Sequence, residues 1–222
     1  VVFDIKSYED LFILCYKSQS ATGVFCLLSE FDYNGIFDDF EKEAGKIKFD
    51  EWLGKNVQFM VKCTRNYEDA VASVEMESKL GEIIIGHMQK KYGYKQKVDL
   101  EKPEIILFFY LTQSKCYIGI DFAGFGLSKR SYKIFQHAAD IKGTIAYSLV
   151  RIAGYSKNET MLDTFSGSGT IPIEAALFSS NFPVRHFDKE KFLFLKFEIF
   201  RGFDFTKLFE KLDREISGDR PR

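Results

Sequence analysis

The chain has 222 residues, room for one large domain or two small ones, with 45% hydrophobic and 28% charged residues, the composition of an ordinary globular protein. A net charge of -1 excludes binding of nucleic acid by overall basicity, although a local basic face stays open. No apolar run reaches bilayer-spanning length and no signal peptide is seen, so no membrane association is expected. Cys15, Cys26, Cys63 and Cys116 lie far apart, with no CxxC and no His pair nearby. That spacing argues against a zinc site or a disulfide scaffold and for buried free thiols in a reducing, cytoplasmic compartment. The 24 phenylalanines point to aromatic-heavy cores.

In chain order, VVFDI reads as a strand and SYEDLFILCYKSQ as a helix, with Ser7 as its cap and Asp10 as the capping-box partner. TGVFCLLSEF is apolar, and FDYNGIFDDFEKEAGKI reads as a connecting helix. NVQFMVKCTR alternates as a strand, and YEDAVASVEMESKLGEIIIGHMQKKYG has helical periodicity that ends at Gly93. PEIILFFYLTQSKCYIGIDFAG reads as two strands joined by the turn TQSK. Strand, helix, strand, strand is the order of a small α+β domain with helices on one face of a sheet, ending near Gly124 to Gly126. After GLSKRSYK the texture changes. HAADIKGTIAYSLVRIAGY reads as an apolar helix, TMLDTF as a short buried strand, and GTIPIEAALFSS as a helix after a glycine turn. That order opens an α/β sheet domain, with the boundary near Lys129 to Gln136.

The turn belongs to DTFSGSGTIPIEAAL, Asp163 to Leu177. A loop at the carboxyl end of such a strand is where an open α/β sheet binds its ligand. Gly167 and Gly169 let the backbone come close to that ligand. A phosphate-binding P-loop needs GxxxxGK[ST], and no lysine occurs between Asp163 and Asp188. A dinucleotide loop needs GxGxxG, and its third position is Pro172. The S-adenosylmethionine loop D-x-x-x-G-x-G fits, with an acid for the ligand's cationic parts and glycines that make room for its amino-acid and ribose portions. A plain strand–turn–helix corner, with Asp163 as a local acceptor, remains the structural alternative.

The longer stretch DTFSGSGTIPIEAAL resembles the D-P-x-C/F-G-S-G-T-x-x-I-E-A-A motif of the THUMP-containing RNA methyltransferases, and the archaeal tRNA guanine-N2 methyltransferases look closest. GLSKRSYK resembles that family's L-x-[HK]-R-G-Y-[RK] segment, and HAADIKGTIAYSLVRIAGY resembles the helix that follows it. The resemblance implies an α+β ferredoxin-like and THUMP N-terminal part followed by the start of an α/β Rossmann-like methyltransferase domain. Its expected limits are 1–48 for a partial ferredoxin-like region, 49–126 for THUMP and 127–222 for the methyltransferase part. It implies S-adenosylmethionine as cofactor and N2-methylation of a guanine in tRNA or rRNA. Asp163, Phe165, Gly167, Gly169 and Thr170 would line the methyl-donor pocket, with Lys142 and Thr144 beginning the helix beside it. Glu174 would serve the helix surface, brace the loop or contact the ligand. Thr164 and Asp140 stand where the family usually has proline.

The same resemblance gives THUMP regions the task of holding RNA. The basic candidates are Lys62, Arg65, Lys90, Lys91, Lys95, Lys97, Lys129 and Arg130, with Tyr92 and Tyr94 interleaved for base stacking. QKKYGYKQK reads equally well as an ordinary helix end whose lysines complement the helix dipole. His87, His137 and His186 are expected to pack or cap, and Trp52 to be core. The [DN]-[LP]-P-[YF] tetrad that orients a target amine is absent, because Pro103, Pro172, Pro183 and Pro221 all lack its context. The acid expected on the ligand's ribose is not identifiable, since no strand leads into Asp219. These gaps make a truncated catalytic half the expectation, with the remainder as a possible separate chain. A non-catalytic RNA-binding module is the alternative, and a dinucleotide-dependent enzyme is a third reading.

Overall fold

The computed structural model describes residues 1–35, 37–67, 73–134 and 140–217. In chain order the helices and strands are α1 (Tyr8–Lys17), β1 (Phe25–Asp32), α2 (Phe37–Ala44), β2 (Gln58–Arg65), α3 (Ser73–Tyr92), β3 (Lys97–Val98), β4 (Ile105–Leu111), β5 (Lys115–Asp121), α4 (Gly143–Ile152), α5 (Thr170–Ser179) and α6 (Phe205–Asp213). The chain divides into two compact units, neither of them continuous in sequence. One, the sheet unit, takes Phe25–Gly124 and Leu193–Arg201. The other, the helical unit, takes Val1–Val24, Phe125–Phe192 and Gly202–Arg222. The expected region 1–48 is therefore shared between them, because β1 is recruited as the edge strand beside β5.

The sheet has the order β1-β5-β4-β2-β3. β2 runs parallel to β3 and β4, whereas β5 is antiparallel to both of its neighbours. A parallel pair needs a crossover, and α3 provides it between β2 and β4. Met76, Leu80, Ile84 and Met88 recur every fourth residue along α3 and form its buried stripe. The apolar run IILFFYL places Leu107, Phe109 and Leu111 at the centre of the core. TQSK makes the expected tight turn, with the Thr112 and Lys115 backbones bonded at 2.8 Å. Gly93 ends α3 at φ 78°, as its sequence predicts. Trp52 is buried against Phe122, Phe197 and Phe200. Burial pushes the thiols of Cys26 and Cys63 up to about 11, so both stay protonated at neutral pH.

Gly119 in β5 lies opposite Leu27 of β1 and Phe108 of β4. A Cβ there would fall 2.9 Å from the Cys26 carbonyl oxygen and 3.4 Å from Phe25 Cβ. The missing side chain lets the rings of Phe25 and Phe108 stack at 4.0 Å across β5.

The helical unit contains no strand among its described residues. The Asp10 carboxylate starts α1 by accepting from the Lys6 and Ser7 amides at 2.8 and 3.3 Å. Phe12 and Tyr16 of α1 pack edge-on or tilted against Phe203, Phe205 and Phe209. Two expected strands are absent. Val1–Val2–Phe3 is exposed and carries no regular structure, and Thr160–Asp163 is likewise irregular. Strands need a hydrogen-bonding neighbour, and neither segment has one among the described residues. β3 was not anticipated, since an exposed Lys-Val pair carries no pattern. His137 and Asp219 lie outside the described residues.

Candidate functional site

Asp163 opens the glycine loop and accepts the Phe165 amide at 3.2 Å, which tightens the backbone into a turn. Gly167 and Gly169 take φ values of 52° and 70°, a left-handed conformation that side chains disfavour. Gly169 caps α5 and donates to the Ser166 carbonyl at 2.7 Å. No side chain caps α5, so the Thr170 and Ile171 amides of its first turn face the loop without helical acceptors. Pro172 has no amide to leave over and sits in the first turn, where proline is tolerated. Thr170 is buried, with its hydroxyl 3.0 Å from that of Ser168. Phe165, by contrast, is 95% exposed and closes no pocket here.

Lys142 caps α4 in an extended conformation, and its carbonyl accepts the Ile145 and Ala146 amides. Its side chain is exposed, while Thr144 is buried. α4 packs beside α5: Tyr147 meets Phe178 edge-on, and the Arg151 guanidinium lies 4.6 Å above the Phe178 ring. The structure thus packs α4 against the helix that follows the glycine loop. An open groove of about 670 Å³ borders the segment leading into Asp163. Leu149, Val150, Met161, Leu162 and Ile171 line it, and none of the methyl-donor candidates does.

Glu174 is fully buried and braces the site from within. It accepts from Arg130 Nε at 2.6 Å, from the Tyr132 hydroxyl at 2.7 Å and from Gln19 Nε2 at 2.7 Å. Burial, then the Glu174 carboxylate, raises the Tyr132 phenol well above its usual range. The Leu127 carbonyl accepts from both Arg130 and Arg185, and Arg185 also pairs with Asp188 at 3.2 Å. Gln19 and Tyr132 were not anticipated. Gln19 lies 155 residues from Glu174, and no local pattern announces such a contact.

Arg130, expected to bind RNA, is corrected by this geometry. Its side chain has no exposed surface and all of its nitrogens have acceptors, so no phosphate reaches it. Its neighbour Lys129 is exposed. The other basic candidates, all in the sheet unit, separate into two sets. Lys97 pairs with Gln58 at the start of β2, whereas Lys62 and Arg65 lie towards its end. At about 3.3 Å per residue, Gln58 and Arg65 are roughly 23 Å apart. Lys90 and Lys91 end α3, and with Lys95 and Lys97 they are exposed. Tyr92 and Tyr94 are half-buried and hold the fold, donating to Asp50 at 2.6 Å and to the Leu53 carbonyl at 2.7 Å. Burial and the Asp50 carboxylate push the Tyr92 phenol up to about 12. His186 packs against Phe182 and Phe187 and lies 3.2 Å from Asp213, and His87 packs edge-on to Phe49.

The sheet with its crossover helix and the glycine loop between two helices define a THUMP fold joined to the opening of a methyltransferase domain. Residues 36–121 match the THUMP domain family, and residues 130–213 match the RMKL-like methyltransferase domain. The chain thus carries a THUMP region followed by a methyltransferase-domain region. A curated relative, the tRNA (guanine(6)-N2)-methyltransferase of Methanocaldococcus jannaschii, is 34% identical over 184 residues, covering 82% of this chain and 47% of that protein. Among solved structures, one described as a possible methylase from Clostridium difficile 630 superposes with a TM-score of 0.80 at 21% identity, over 96% of this chain and 55% of that one. SMU.472 complexed with SAH gives a TM-score of 0.78 at 19% identity, over 96% and 56%. The chain spans about half the length of each of these proteins. Among the described residues no helix is long and apolar enough to cross a membrane, and no acidic, His or Cys cluster could hold a metal.

Proposed function

We propose that this chain serves an S-adenosylmethionine-dependent RNA methyltransferase that methylates N2 of a guanine in tRNA, with rRNA as the other substrate class. The observation that carries this reading is the glycine loop after Asp163. It has two left-handed glycines, an uncapped helix start and no lysine, and the helix it opens packs beside α4. The first-turn amides of α5 suit the ligand's carboxylate, and Asp163 suits its ammonium. The ligand's sulfonium supplies an already activated methyl group. What this part of the protein contributes is therefore placement more than proton transfer. The exposed lysines at the end of α3, with Lys62, Arg65 and Lys129, suit an RNA backbone. The four free cysteines accord with a reducing, cytoplasmic setting.

The groove of about 670 Å³ and the exposed Leu162 and Phe165 are apolar surface that further methyltransferase strands would cover, from this protein or from a separate chain. The match of residues 36–121 to the THUMP family supports a second reading, an RNA-binding module without catalysis. Calorimetry with S-adenosylmethionine and then with tRNA separates the two. Binding of the methyl donor that Gly167→Asp abolishes is expected; tRNA binding without it supports the second reading.

A further inference from the structure

The Arg130–Glu174 pair is sealed inside the helical unit. Both side chains are 0% exposed, and they meet at two points, Nε to Oε1 at 2.6 Å and Nη2 to Oε2 at 3.3 Å. The remaining Arg130 nitrogen positions go to the carbonyls of Leu127 and Gln19, at 2.8 and 2.5 Å. Such a pair is weak evidence for stability, because apolar residues of similar volume often serve as well. What it fixes is geometry, and the geometry it fixes is local to two helix starts.

Glu174 stands one turn into α5, four residues after Thr170. On the other side the pair abuts the backbone of Gly143, the first residue of α4. A Cβ on Gly143 would lie 2.5 Å from Arg130 Nε and 2.7 Å from Glu174 Oε1. Gly143 is flanked by Lys142 and Thr144, while α5 continues the loop of Gly167 and Gly169. The pair thus touches both segments that carry the methyl-donor residues, and it leaves no room for a side chain between itself and α4.

We propose that Arg130 and Glu174 are positioning residues that set the spacing between the α4 start and the glycine-loop helix, and thereby the affinity for the methyl donor. This rests on the methyl-donor reading above. The test is calorimetry of the full chain with S-adenosylmethionine, run beside thermal melting, for wild type, Glu174→Gln, Arg130→Met/Glu174→Gln and Gly143→Ala. Glu174→Gln leaves a buried guanidinium without its counter-charge, so both melting point and affinity are expected to drop. The double variant removes both charges, so its melting point is expected to recover while its affinity stays about tenfold weaker than wild type. Recovery of affinity along with melting point makes the pair merely structural and overturns the proposal. If the double variant does not regain stability, Gly143→Ala decides, since it keeps both charges and presses a methyl group between the pair and α4. Unchanged affinity there overturns the proposal, and weaker affinity with little change in melting supports it. A wild-type chain that binds no S-adenosylmethionine sinks the methyl-donor reading itself, which the other outcomes leave standing.

Discussion

Asp213, near the end of α6, joins three parts of the helical unit. It accepts from the Tyr16 hydroxyl of α1 at 2.5 Å, pairs with the Lys189 ammonium and lies 3.2 Å from His186 Nδ1. Burial pushes its carboxyl up, but the Lys189 and Tyr16 bonds outweigh burial and hold it below the usual carboxylate range. Asp188, held by Lys191 and Arg185 against a similar burial effect, is lowered in the same sense. A carboxyl lowered by folding stabilises the native state above its unfolded value, about 4, and that stability is lost as pH falls through the folded value. Urea unfolding across pH is therefore expected to show a loss of stability below about pH 4. Asp213→Asn should be less stable at pH 7 and should lose less on acidification; an acid limb identical to wild type would refute the assignment. Lys129 and Arg130 show where residue-level reading stops. In sequence they are two adjacent cations, and only the distant Glu174 and Gln19 make one a solvated lysine and the other an internal strut.

At the scale of elements, periodicity was a good guide wherever an element buries one stripe. β2 and α3 stand where their apolar spacing predicts, and the strands β4 and β5 and the helix α5 stand where the sequence places them. Reading failed for Val1–Ile5 and for Thr160–Asp163, which have strand-like composition but no neighbour to pair with among the described residues. Strand propensity is largely a preference for a half-buried pleated surface, and without that surface it decides nothing. Gly119 offers the opposite case, a strand interior that needs a residue of poor strand propensity. Gly119→Ala would press a methyl group into the β1 backbone at Cys26, and it is expected to cost about 1–3 kcal/mol in urea unfolding. Gly126→Ala, with nothing within 4 Å of the added carbon, is the control. Equal stability of the two variants would mean that the β1–β5 contact yields freely.

Across the whole molecule, the family motif was legible because its chemistry is local. An acid, two glycines and a helix start lie within a few residues. The bracing behind the loop was not legible, because it draws on Gln19, Arg130 and Glu174 from three separate stretches. RNA binding by the sheet unit is expected to follow counterion release, weakening with salt in proportion to the phosphates engaged. Replacing Lys90, Lys95 and Lys97 together by alanine should reduce the slope of log affinity against log salt for tRNA by about 2 to 3, with S-adenosylmethionine affinity unchanged. An unaltered slope would remove the α3 end from the RNA surface and leave Lys62, Arg65 and Lys129.

The interleaving of the two units also sets an order of events at the ribosome. Leu11, Phe12, Cys15 and Tyr16 of α1 emerge well before α6 and end up buried. Tyr16 must nevertheless wait for Asp213, 197 residues later. At roughly 5–20 residues per second, that leaves α1 without its final partner for about ten to forty seconds. β2 through β5, which lie close together in sequence, have no such delay. A nascent chain of this protein is accordingly in need of chaperone cover over α1 until α6 has followed it.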